Sequence, residues 1–91
     1  MKEANKTKEE KRKSIYSVQI RLDQLIQGKM SQQELSRKTG IRQPSISEMC
    51  RNESKHIPLE NLALLCEELQ CNISDLLILV DENGKELTIS N

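Results

Sequence analysis

Residues 31–49 read SQQELSRKTGIRQPSISEM, from Ser31 to Met49. Ser31 is followed three residues later by Glu34. A hydroxyl at the cap and a carboxylate at the third helical position can satisfy two orphan amides reciprocally, so a helix is expected to start here. That helix carries Leu35 inward and stops near Thr39-Gly40. Gly40 can take a positive φ in the turn without steric cost. Ile41 follows, and a second short helix is expected from about Gln43 to Arg51. Its Pro44 lies in the first turn, where a missing N–H does no harm. Ile46 and Met49 are three apart and should face the core. Ser36 is small where the two helices must approach closely. The spacing predicts a tight helix-turn-helix.

The second helix then has an outward face carrying Gln43, Ser47, Glu48 and Arg51. Gln pairs bidentately with adenine, Ser with either kind of partner, and Glu accepts from cytosine. The start of the preceding helix presents Gln32 and free backbone amides, which suit a phosphate oxygen. Arg42, Arg51 and Lys55 supply positive charge around the same edge. Each assignment has a plainer rival. Gln32 and Gln43 can be ordinary surface residues, Glu48 can pair with Arg51 three residues on, and Arg51 and Lys55 can simply be solvated.

Outward from this stretch, Arg51-Asn52-Glu53-Ser54-Lys55 reads as a polar loop. Pro58 opens a helix of about eleven residues, in which Leu59, Leu62, Leu65, Cys66 and Leu69 recur at helical spacing. Asn72-Ile73-Ser74-Asp75 resembles another N-terminal cap, leading into a short helix through Leu76 and Leu77. Leu77-Ile78-Leu79-Val80 and Glu86-Leu87-Thr88-Ile89 flank an Asn83-Gly84 turn and suggest two short strands. On the other side, residues 15–20 fit either a strand, by the alternation of Tyr16, Val18, Ile20 and Leu22, or one face of a helix. Leu22 to Gln27 favours helix, ending at Gly28. Tyr16, Leu79 and Ile89 are candidates for a small sheet, either between the chain ends or between subunits. Residues 1–14 hold one apolar side chain beyond Met1 and are expected to form a flexible basic tail. Within it Thr7 and Glu10 could close a transient capping box, and the tail could follow a nucleic-acid groove or be inert. The expected organisation is a tail at 1–14, a domain at 15–78 and an extension at 79–91.

Composition narrows the function classes. The chain has 91 residues, 35% hydrophobic and 31% charged, with no Phe or Trp and Tyr16 as the sole aromatic. That supports one domain with a modest core of Leu, Ile, Val and Met. The longest apolar run, Leu76 to Val80, is far short of the roughly 20 residues that span a bilayer. No membrane association is expected, and with no apolar stretch after Met1-Lys2-Glu3 the cytoplasm is the expected compartment. Net charge is zero but unevenly spread: residues 1–13 and 14–57 each carry a balance of +3, residues 58–91 a balance of −6. The positive front allows an anionic partner. Cys50, Cys66 and Cys71, with His56 as the single histidine, lack the paired ligand spacing that zinc requires. Cys66 reads as a small core hydrophobe. No metal, no cofactor and no small-molecule substrate are expected. No phosphate-binding Gly loop or acid–base pair is evident, so no enzyme is expected.

The residues also resemble a family. SQQELSRKTGIRQPSIS, then EMCRNES, then IPLENLALLCEELQCNISDLL are similar to the lambda-repressor-like (Cro/CI-type, Xre) helix-turn-helix family over about residues 20–77. The resemblance implies an all-α, five-helix DNA-binding domain, here with room for short terminal β-strands. It implies a transcriptional regulator, commonly a repressor, acting as a homodimer on double-stranded DNA. It places Gln32 at phosphate and Gln43, Pro44, Ser47 and Glu48 toward the major groove. Ser45 and Asn52 complete the candidate DNA-binding set of Gln32, Arg42, Gln43, Pro44, Ser45, Ser47, Glu48, Arg51, Asn52 and Lys55. Asn52 stands where the family commonly has Gly. Pro44 and Glu48, with the neutral total charge, motivate a rival reading: a protein-interaction adaptor that keeps the fold without specific DNA binding.

Overall fold

The capped start at Ser31 is found where the residues put it. A computed structural model describes residues 11–87, and in it α2 spans Gln32–Thr39. Ser31 Oγ accepts a hydrogen bond from the Glu34 N–H at 3.0 Å. This is one half of the expected reciprocal box. Gly40 ends the helix with φ +81° and donates its N–H to Ser36 C=O. The turn is then stitched by side chains. Ser36 Oγ donates to Ile41 C=O at 2.6 Å. Thr39 Oγ1 donates to Leu35 C=O at 2.8 Å and accepts from Ile41 N–H at 3.2 Å. Beyond the turn α3 spans Gln43–Cys50, with Pro44 in its first turn.

The remaining elements pack around this pair. The strand β1, Ser17–Ile20, precedes α1, Leu22–Ile26, and Gly28 turns the chain with φ +79°. After α3 come α4, Leu59–Leu69, and α5, Ile73–Leu76, and then β2, Leu77–Val80. At α5 the Asn72 N–H donates to Asp75 Oδ2 at 3.0 Å. The ambiguity over residues 15–20 resolves to strand. β1 and β2 are antiparallel, pairing Ser17 with Val80, Val18 with Leu79, Gln19 with Ile78 and Ile20 with Leu77. The sheet therefore pairs residues 17–20 with 77–80 within one protomer. Among the described residues the architecture is five helices with two short strands, as the fold reading anticipates.

The core gathers one or two residues from nearly every element. Leu22, Leu35, Ile46, Met49, Leu65 and Leu76 are fully buried, with Ile20, Ile26, Ile41 and Val80 close behind. Burying one such side chain contributes about 1.5–3 kcal/mol, whereas an exposed ion pair contributes about 0–1 kcal/mol. Apolar burial therefore sets the angle between α2 and α3. The Lys38–Glu68 pair at 3.7 Å between α2 and α4 adds little to it.

Two expectations need correction, those for Leu59 and for the second C-terminal strand. Leu59 belongs to the apolar stripe of α4 by spacing, yet it is 81% exposed. As the first residue of the helix it lies beyond the end of the core that Leu65 fills. The boundary expected at residue 78 falls inside β2, whose last residue Val80 is only 2% exposed. The second C-terminal strand reduces, among the described residues, to a bridge between Val80 and Glu86 around a turn in which Gly84 has φ +82°. Thr88 and Ile89 lie outside the described residues, as do Thr7 and Glu10 and most of the expected tail. Residues 11–14 are exposed and carry no regular structure.

Candidate nucleic-acid interface

The burial of Ile46 and Met49 decides which way α3 faces. Both are essentially inaccessible, so the opposite side of the helix is open. There Gln43, Pro44 and Glu48 are exposed, and Ser47 is half-buried one turn after Gln43. Arg42 lies exposed immediately before the helix. Gln32 is half-buried at the first position of α2. Ser31 occupies the Glu34 amide, which leaves the Gln32 and Gln33 N–H groups outside the helical ladder at that end. Ser45 is half-buried and donates its N–H to Arg42 C=O at 3.0 Å, inside the first turn of α3.

The charges at the end of α3 are arranged differently from the spacing argument. Arg51 does not pair with Glu48. Its Nε donates to Glu53 Oε1 at 3.0 Å, and Nη1 donates to Ser47 Oγ. The reason is the chain path. The helix ends at Cys50, and Asn52, with φ +58°, turns the backbone so that Glu53 N–H reaches Glu48 C=O at 2.9 Å. Glu53 thereby comes alongside the Arg51 guanidinium. An i, i+3 rule for helices has no purchase beyond the last turn. Glu53 is a neighbour of the candidate face that the sequence reading missed, and no local pattern pointed to it. Among the described residues Arg42 and Lys55 have no ion-pair partner.

Asn52 is tied to the domain as well as lying beside this face: its Oδ1 accepts from Ile20 N–H at 2.6 Å and its Nδ2 donates to Ile20 C=O at 3.2 Å. One N–H and one oxygen lone pair of the exposed carboxamide stay unused by these two bonds. Lys55 is exposed beyond the loop.

Other chemistries find little support at this face. Cys50 lies beneath it, and burial, then the Asp23 carboxylate, push its thiol up, only partly offset by Arg51. Burial and the neighbouring Cys66 do the same to Cys71. Both thiols stay neutral near pH 7, which suits packing rather than nucleophilic attack. Among the described residues no group of three His, Cys, Asp or Glu could hold a metal ion. No described helix is long and apolar enough to cross a membrane.

A capped helix, a tight Gly turn and a second helix wedged by its apolar side with a polar side outward form a helix-turn-helix of the kind that enters the major groove. Comparison with known proteins agrees. The family model described as a Cro/C1-type HTH DNA-binding domain matches residues 21–82. No curated protein and no solved structure gives a match. The match runs from the residue before α1 to the turn after β2 and covers most of the chain. This chain belongs to the Cro/C1-type helix-turn-helix DNA-binding domain family.

Proposed function

We propose that the protein is a sequence-specific transcriptional regulator, a cytoplasmic repressor that occupies double-stranded DNA as a homodimer. The observation that carries this reading is the outward face of α3, where Gln43, Ser47 and Glu48 are held opposite the buried Ile46 and Met49. Gln43 reads a base edge by a bidentate bond, with Pro44, Ser45, Ser47 and Glu48 lining the same approach. Gln32, Arg42, Arg51 and Lys55 fix the register on phosphates. Two protomers related by a two-fold axis present two such helices to a two-fold-related site. The mechanism is steric: an occupied operator excludes other proteins. Selection from random duplexes at low salt tests this reading, with enrichment of a motif whose halves are related by symmetry as the expected result. Failure to enrich any motif overturns it.

Within that reading the roles separate by mutation. Gln43→Ala relaxes preference at one base pair and costs about 1–3 kcal/mol there, while Arg51→Ala weakens all duplexes alike. Binding of the selected duplex and of single-base variants measures both, and equal effects on every sequence would show the roles to be wrong.

The Arg51–Glu53 pair makes a further prediction. Glu53 competes with a phosphate for the same guanidinium. Glu53→Gln therefore raises affinity for selected and scrambled duplexes together by about two- to fivefold, the size of an exposed ion pair. Titration by fluorescence anisotropy reads the change, and an unchanged or weaker affinity removes Glu53 from the site.

The same ion pair is the observation that favours the adaptor reading, because it leaves the reading helix with less free positive charge. The dependence of duplex affinity on salt separates the two.

A further inference from the structure

The two bonds made by Asn52 span 32 residues of sequence. Its Oδ1 accepts from Ile20 N–H at 2.6 Å and its Nδ2 donates to Ile20 C=O at 3.2 Å. Those are the two bonds that a facing residue exchanges across an antiparallel ladder. Ile20 is the last residue of β1 and faces Leu77 of β2. The carboxamide thus stands where the backbone of a third strand would stand at the end of β1. It reaches there because Asn52 follows α3 by two residues and turns left-handed, with φ +58°, while its own N–H stays on Met49 C=O at 3.1 Å. Asn tolerates that backbone better than most residues with a side chain. Gly would tolerate it better still, but would have nothing to place on Ile20.

We propose that Asn52 is a positioning residue for DNA reading: it clasps the end of α3 to β1 and so holds the outward face of α3 at the inclination a duplex requires. The proposal rests on the DNA-reading function above. The N-terminal end of α3 is already held by the turn bonds of Ser36 and Thr39 to Ile41. At the C-terminal end Met49 supplies apolar contact, which resists separation but not rotation. The Asn52 clasp adds directional bonds there. It also joins α3 to the small sheet, so that the strand ends and the reading helix move as one body.

Asn52→Gly tests this, because it keeps the left-handed turn and removes the clasp. Asn52→Asp is the second variant. It keeps an acceptor for Ile20 N–H and loses the donor to Ile20 C=O. Three quantities are measured below the unfolding transition of each variant: amide hydrogen exchange at Ile20, affinity for the duplex selected with the wild type, and affinity for a scrambled duplex. For Asn52→Gly the Ile20 amide is expected to exchange about tenfold faster, as for one lost hydrogen bond. The ratio of selected to scrambled affinity falls about tenfold, with scrambled binding unchanged; Asn52→Asp falls between wild type and Asn52→Gly. A general loss of stability would not change that ratio in protein that remains folded. A folded Asn52→Gly with an unchanged ratio overturns the proposal. So does an equal loss on both duplexes, which would make Asn52 an ordinary backbone contact. If the wild type enriches no duplex, the DNA reading itself fails and the positioning role fails with it, while the exchange rate at Ile20 still reports the clasp.

Discussion

Leu35→Ala is expected to lower stability by about 2–5 kcal/mol. Leu35 is fully buried on α2, in one cluster with Ile41 and Ile46 across the turn and with Leu65 of α4. Truncation removes apolar burial and leaves a cavity that rigid neighbours on three helices fill poorly. A single core in a domain of this size supplies only about 3–5 kcal/mol net. The variant should therefore be largely unfolded at 25 °C, with urea denaturation followed by circular dichroism as the measurement. Leu59→Ala is the control. Its side chain is 81% exposed and the change should stay within about 0.5 kcal/mol. A Leu35 variant as stable as the Leu59 one would mean that the core is not where the fold places it.

The second large effect is electrostatic. If Arg42, Arg51 and Lys55 of each protomer contact phosphates, a dimer makes about six cationic contacts, and affinity falls on the order of 10³-fold between about 50 and 200 mM salt. The fall comes from counterions that binding releases from the duplex. The Arg51–Glu53 pair lessens it, because part of the Arg51 charge is already neutralised in the free protein. Isothermal binding at four or five salt concentrations gives the slope. A flat dependence would exclude phosphate neutralisation and favour the adaptor reading.

The helix-turn-helix was legible because its signals are local. Ser31 caps the helix it precedes, Gly40 allows the left-handed turn, and Pro44 fits the first turn of α3. The three-residue spacing of Ile46 and Met49 selected the buried face, and with it the exposure of Gln43 and Glu48. Asn52 was harder. Its tolerance of a left-handed backbone could be anticipated, but not its partner, since nothing near it in sequence points to Ile20. Glu53 was invisible for a related reason: its approach to Arg51 depends on a turn that follows the helix, where helical spacing rules no longer apply.

Caps, periodicity and turn residues thus suffice for the helices from Ser31 onward and for the face that α3 shows to solvent, since each acts over a few residues through steric and hydrogen-bond rules of the backbone. The pairing of residues 17–20 with 77–80, the exposure of Leu59 and the clasp of Asn52 on Ile20 arise only when distant segments meet around one core. Such contacts are chosen by packing and by which backbone groups remain unpaired after collapse, and neither is written into any short stretch of the chain.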